Sequence, residues 1–153
     1  MSDPQLLVRR IKDGTVIDHI DAGTALIVLR ALDITGRVGN VITVALNVPS
    51  SKLEKKDIIK VENKFLESEE TNKLALLAPK ATINIIRGYK VIEKRKVGLP
   101  IAFIDIFKCS NQRCVTNSKE AVQPIIDVID KLEPRLKCRY CARILNINEL
   151  IYQ

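Results

Sequence analysis

NVITVALNVPSSKLEKKDIIKVENKFL, residues 40–66, decides how the first two-thirds of this chain folds. Two runs rich in β-branched residues, NVITVALNVP and KDIIKVENKFL, flank the polar loop SSKLEKK. That pattern predicts two neighbouring strands, because branched side chains suit a pleated surface and charged residues suit a turn in water. Upstream, LLVRRIKDGTVIDHI predicts an edge strand, a turn at Gly14 and a second short strand, and AGTALIVLRALDITG predicts an apolar helix ending at Gly36. Downstream, ESEETNKLALLAP predicts a helix with Ser68 as N-cap, acids in its first turn and Pro79 as its stop. TINIIRGYKVIEK then predicts a hairpin turning near Arg87 and Gly88. The order β, α, β, β, α, β plus a hairpin strand predicts an α+β, ferredoxin-like domain, an antiparallel sheet with two helices on one face.

The texture changes at RKVGLP, where Gly98 and Pro100 punctuate an apolar run. This predicts two domains, 1–97 and 98–153. The second part reads as short strands (IAFIDIF, RILNINEL) with one helix candidate, EAVQPIIDVIDKL, compromised in its first turn by Pro124. Roughly 55 residues rarely bury enough surface to offset chain entropy unaided, and a structural metal is a common remedy. The expectation is a small β-rich domain of zinc-ribbon or rubredoxin-like form.

The 153 residues are 46% hydrophobic and 28% charged, which reads as globular and soluble. The start MSDPQLLVRR has no apolar core behind a basic segment, and no run approaches the roughly 18 apolar residues of a membrane span. A reducing cytoplasm is the expected compartment, with no membrane partner, and there cysteines serve as metal ligands more often than as disulfides. The net charge of +7 raises a polyanion partner. Its distribution disfavours nucleic acid: residues 1–97 carry 17 basic against 12 acidic side chains, and 98–153 carry 8 against 6, so no block is purely basic. Three Tyr, three Phe and no Trp are few for base stacking. A solvated surface with a small anion site is the better reading.

The cysteines follow C-x4-C, 23 residues, C-x2-C: Cys109, Cys114, Cys138 and Cys141. Each pair can offer two thiolates from a tight turn, and two turns together make the tetrahedral sulfur cage that zinc favours. Iron in a rubredoxin-like cage and two disulfides are the alternatives. A closed cage of four protein ligands leaves no place for substrate, so its role is structural. Lys108, Arg113, Lys137 and Arg139 stand beside the ligands, where their charge offsets that of the thiolates. His19 is the only histidine, and no Gly-rich phosphate loop occurs. Catalytic apparatus is not evident, which predicts a chain that is not an enzyme.

GTVIDHI (14–20), LNVPSSKLEKKDIIKVENKFL (46–66), LALLAPKATIN (74–84), YKVIEK (89–94) and the four-cysteine pattern together resemble the regulatory chains of aspartate carbamoyltransferase, over nearly the whole length. The resemblance implies regulation without catalysis. A first domain binds the effectors CTP, ATP and UTP, and a zinc domain docks on the catalytic chain. Three regulatory dimers then join two catalytic trimers. The apolar helix ALIVLRAL fits self-association, since one sheet face cannot cover it all.

By the same resemblance, Arg10, Ile11 and Tyr89 read the base through their backbone, Asp18 accepts from the ribose hydroxyls, and Lys60 reaches ribose and base. His19, Asn84, Val91 and Lys94 lie on the phosphate side, Lys96 adds a basic group, and Val16, Ile58 and Ile86 form an apolar wall. Asn111 and Arg113, in the loop CSNQRC, fall on the docking surface for the catalytic chain. Arg113 stands where the best-known member of the family has an asparagine, and Ala142 where it has a glutamate, so polar docking contacts should differ.

Overall fold

The computed structural model describes residues 10–120 and 122–151. The strand expected at the start of LLVRRIKD falls largely outside them. The chain divides into two compact units between Gly98 and Leu99.

The first unit runs β1 (Gly14–Asp21), α1 (Ala25–Ala31), β2 (Ile42–Ser50), β3 (Glu54–Glu62), α2 (Ser68–Leu77), β4 (Thr82–Arg87) and β5 (Lys90–Lys96). The strands form one antiparallel sheet in the order β2-β3-β1-β4-β5, a split βαβ arrangement with β5 added at one edge. Period-2 alternation sends Thr15, Ile17, Ile59, Val61, Ile83 and Ile85 to one face, where all are buried. The apolar members of that set pack with Ala25, Val28 and Leu32 of α1 and its C-cap, and with Leu74 and Ala78 at α2. Both helices therefore lie on one face, and the other stays open. Gly14 is required where β1 starts: with φ 145°, a β-carbon there would come within 2.1 Å of the Val61 carbonyl oxygen.

Three local expectations change. Helix α1 is half as long as its apolar run, because the chain enters left-handed conformations at Asp33 (φ 53°) and Gly36 (φ 77°). The N-cap of α2 is Glu67, one residue before Ser68, in a reciprocal capping box with Glu70. The β4–β5 hairpin turns on Gly88 (φ 57°) and Tyr89 (φ 64°), as a two-residue turn with both residues left-handed demands. Asp13 Oδ1 accepts from Gly88 N–H at 3.1 Å, and the Lys12 carbonyl accepts from Tyr89 N–H at 2.9 Å, so the hairpin is tied to the chain entering β1.

The second unit holds β6 (Ala102–Ile104), a 3-10 turn (Val115–Asn117), β7 (Ile125–Asp130), β8 (Arg135–Cys138), β9 (Ile144–Leu145) and α3 (Ile147–Ile151). Its sheet order is β6-β7-β8-β9. The helix expected over EAVQPIIDVIDKL is a strand at 125–130: Pro124 denies a helix its N–H, and four of the six residues of IIDVID are β-branched, which suits a strand. RILNINEL is a strand only at Ile144–Leu145, after which Asn146 accepts from Asn148 N–H at 2.9 Å and opens α3. Phe103, Phe107, Ile126, Leu136, Leu145 and Leu150 form a small core, with the two rings edge-on at 5.2 Å. Among the described residues no helix is long and apolar enough to cross a membrane.

Candidate functional site

The open face of the first sheet is built by strand register. Lys60 on β3 lies opposite Val16 on β1, Val16 opposite Asn84 on β4, and Asn84 opposite Lys94 on β5. The next row runs from Asp18 to Thr82 to Lys96. Residues two apart share a face, so Val16, Asp18, Ile58, Lys60, Asn84, Ile86, Lys94 and Lys96 all belong to this one, opposite the helices. Val91 is exposed and pairs with Ile86, which is buried. At the far end of the sheet Ile11 is buried, and the Arg10 guanidinium donates to the Tyr89 carbonyl at 3.0 Å, so this backbone oxygen is already engaged.

His19 enters this face through a defect in the ladder. Ile17 pairs with Ile59 and Ile20 pairs with Asp57, which sets Asp18 and His19 on β1 against Ile58 alone on β3. His19 sits at the bulge with φ 57°, and its Nδ1 is 3.0 Å from Thr82 Oγ1. Burial lowers its pKa below the ordinary 6.5; Asp18 opposes this, and Lys56, Lys52 and Lys94 add to it. Burial likewise lowers the Lys60 pKa, with Asp18 opposing and Arg10 adding. Asp18 binds Lys56 Nζ at 2.9 Å and accepts the His19 N–H at 2.6 Å.

A cavity of about 340 Å³ opens beside His19, lined also by Lys52, Leu53, Pro79, Lys80, Thr82, Lys96 and Val97. Sequence reasoning missed Lys52, Lys56, Lys80 and Thr82. SSKLEKK reads as a solvated loop, and only the fold carries it back over the end of β1. The cluster of lysines and a histidine makes a positive concavity next to the Asn84 and Lys94 row, suited to a multiply charged anion.

In the second unit the four cysteine sulfurs lie within 4.8 Å of one another. Cys109 and Cys141 Sγ are 3.6 Å apart, and Cys114 and Cys138 Sγ 3.7 Å. Disulfide sulfurs would be about 2.05 Å apart. A tetrahedron with metal–sulfur bonds of about 2.3 Å has edges near 3.8 Å, so the donors fit one metal ion. Burial pushes the Cys109 thiol up to about 12. Burial also raises Cys141, but the Arg143 backbone N–H, the Asn111 side chain and neighbouring thiols outweigh it and bring that thiol to about 7. Such a set sheds all its protons only for a cation, as a metal site does.

The loop between the first two ligands is closed on itself. Asn111 Oδ1 accepts from Arg113 N–H at 3.1 Å, and Asn117 Nδ2 donates to the carbonyls of Cys109 and Asn111, each at 2.8 Å. Asn111 is thus half-buried and shapes the ligand turn, whereas Arg113 is exposed. The Arg139 guanidinium makes two bonds to Asp127, at 2.6 and 3.2 Å, so its charge is engaged by that carboxylate.

The family described as "Aspartate carbamoyltransferase regulatory chain, allosteric domain" matches residues 6–98, and "Aspartate carbamoyltransferase regulatory chain, metal binding domain" matches residues 103–151. A regulatory chain of that name from Nitrosopumilus maritimus is 61% identical over 99% of both chains. One from Cenarchaeum symbiosum is 57% identical over the same share, and one from Korarchaeum cryptofilum is 50% identical over 97% of this chain and 96% of its own. Both matched domains are regulatory in kind, one allosteric and one metal-binding, and neither is catalytic. An allosteric sheet with an open basic face, followed by a four-cysteine metal domain, places this chain in the family of aspartate carbamoyltransferase regulatory chains.

Proposed function

We propose that the chain senses nucleoside triphosphates, with CTP, ATP and UTP as effectors, through residues 1–97, and passes their occupancy to a catalytic chain through residues 98–153. The observation that carries this reading is the cross-strand row Lys60, Val16, Asn84 and Lys94 beside the Asp18, Thr82 and Lys96 row. Apolar Val16, acidic Asp18 and basic Lys94 and Lys96, side by side on one face, match the needs of a base, a ribose and a phosphate chain. Val16, Ile58 and Ile86 form the apolar wall, Asp18 with Lys56 faces the ribose, and His19, Asn84, Lys94 and Lys96 face the phosphates. Arg10, Ile11 and Tyr89 frame the base end, and Val91 lies along its edge. The metal is zinc, the usual occupant of a closed sulfur cage in a reducing cytoplasm.

The chain acts as a dimer that bridges catalytic trimers, two trimers to three dimers. Leu26 on α1 and Val41 and Leu46 around the edge strand β2 are exposed, which supports a self-association surface on the first unit. Arg113 on the metal loop supports docking of the second unit on the catalytic chain, with Asn111 acting by holding the loop. Effector control then requires only that nucleotides bind two quaternary states unequally. The direct test is co-expression with the matching catalytic chain and aspartate saturation with and without each nucleotide. Saturation curves that no nucleotide displaces would refute the reading.

His19 makes a pH prediction. Its lowered pKa leaves it neutral at pH 7.5. A triphosphate favours the protonated ring, so affinity should rise as pH falls from 7.5 through 6.5 and below, by up to about tenfold. Calorimetric titration of CTP at pH 8 and pH 5.5 measures this. His19→Gln is expected to remove the part of the slope that the nucleotide's own phosphate does not supply.

A further inference from the structure

Asp57 belongs to none of the roles above, yet it is the most fully engaged carboxylate among the described residues. It is 0% exposed, on the helix side of β3. Its Oδ2 accepts the backbone N–H groups of Gly23, Thr24 and Ala25 at 2.9, 3.1 and 3.0 Å, and its Oδ1 accepts that of Asn47 at 3.0 Å. Those four donors belong to two segments on opposite sides of β3: the turn that leads β1 into α1, and β2.

Both neighbouring strands are bulged here. On β1, Asp18 and His19 oppose one residue, with His19 at φ 57°; on β2, Leu46 and Asn47 fall in the register shift between Ala45 and Val48, with Asn47 at φ 58°. A left-handed non-glycine residue costs about 1 kcal/mol or more and persists only where its surroundings impose it. Here the Ile17 and Ile59 pair fixes one flank of the β1 bulge. The Ile20 and Asp57 pair fixes the other, and the Asp57 carboxylate ties down the turn that follows. The consequence for His19 is directional. Unbroken alternation from Thr15 and Ile17 would send residue 19 into the core; the bulge hands that place to Ile20, which is fully buried, and turns the imidazole toward Thr82 and the basic cavity.

We propose that Asp57, lying beneath the sheet and away from the open face, is the positioning residue that holds His19 turned into the triphosphate site. The role at His19 follows from the fold alone; its bearing on affinity rests on the proposed nucleotide reading. Asp57 also links the mouth of that site to α1 and the edge strand β2, the surfaces proposed for dimer contact.

The test is Asp57→Asn in the full chain, which keeps the volume but replaces one acceptor oxygen by a donor facing either Asn47 N–H or the three α1 donors. Because His19 is the sole histidine, its imidazole signals are assigned without ambiguity. The expected result is a folded variant in which the magnetisation-transfer contact between the imidazole and Thr82 is lost. CTP affinity should fall about tenfold, the worth of one charge-assisted hydrogen bond, while cytidine affinity holds. Val28→Ala, a cavity in the same core, should preserve both readouts. An unchanged imidazole contact in folded Asp57→Asn, or the same loss in Val28→Ala, overturns the proposal. Should the parent chain bind no triphosphate, the nucleotide reading fails while the imidazole contact still tests Asp57. If Asp57→Asn does not fold, hydrogen exchange on the unmodified chain decides: Gly23, Thr24, Ala25 and Asn47 amides should open as one protected unit, and four unrelated rates overturn the idea.

Discussion

Stripping the metal is expected to unfold the second unit, release catalytic trimers that keep full activity, and abolish nucleotide control. The reason is the size of the second core. Its strands have three, six, four and two residues, and among the described residues its fully buried large side chains are Phe103, Ile126, Leu136 and Leu150. So little apolar surface cannot balance the ordering of roughly 55 residues, whereas a structural zinc site contributes on the order of 10–16 kcal/mol of apparent folding free energy. The ligands also hold the architecture, since Cys138 ends β8 and Cys109 and Cys114 bound the loop organised by Asn111 and Asn117. Elemental analysis should give one zinc per chain. A mercurial added to the assembled enzyme should change sedimentation and effector response together, while hydrogen exchange stays slow in β1, β3 and β4. Loss of carbamoyl transfer along with the metal, or a nucleotide response in free trimers, would show that the division of labour is wrong.

Lys94→Ala is expected to weaken triphosphate binding by about 1.5–3 kcal/mol, roughly 10- to 150-fold, and to leave nucleoside binding nearly unchanged. Lys94 lies opposite Asn84 at the end of the row farthest from Lys60, so its charge meets phosphate rather than base. Lys60→Ala should cost a similar amount for nucleoside and triphosphate alike, because Lys60 is half-buried opposite Val16, toward the proposed ribose and base. Burial lowers the Lys60 pKa, so binding should weaken at a less alkaline pH than an exposed lysine would allow. Isothermal titration with CTP and cytidine separates the two variants. Equal losses for both ligands in Lys94→Ala would assign it a place other than the phosphates.

The sequence by itself determined the order of elements in the first unit, because β-branched runs between polar loops make strands. Val16, Asp18, Lys60, Asn84 and Lys94 are legible only through the family resemblance; period-2 alternation separates them from Ile17, Ile59 and Ile83 within each strand, and the register between strands brings them onto one face. The metal cage is legible directly, since two close cysteine pairs carry their geometry in their spacing. What the tertiary structure decided are the departures from that periodicity. The strand at 125–130 replaces a helix candidate because its partners β6 and β8 supply the hydrogen bonds that Pro124 denies a helix. Lys52 and Lys80 come beside His19 because the β2–β3 and α2–β4 loops, far apart in the chain, meet at the same end of the sheet's strands. His19 itself faces the cavity only because a bulge breaks the alternation of β1. That bulge is held by Asp57, a carboxylate 38 residues further along the chain and on the other side of the sheet, whose four bonds to backbone N–H groups exist only once three strands and a helix are assembled.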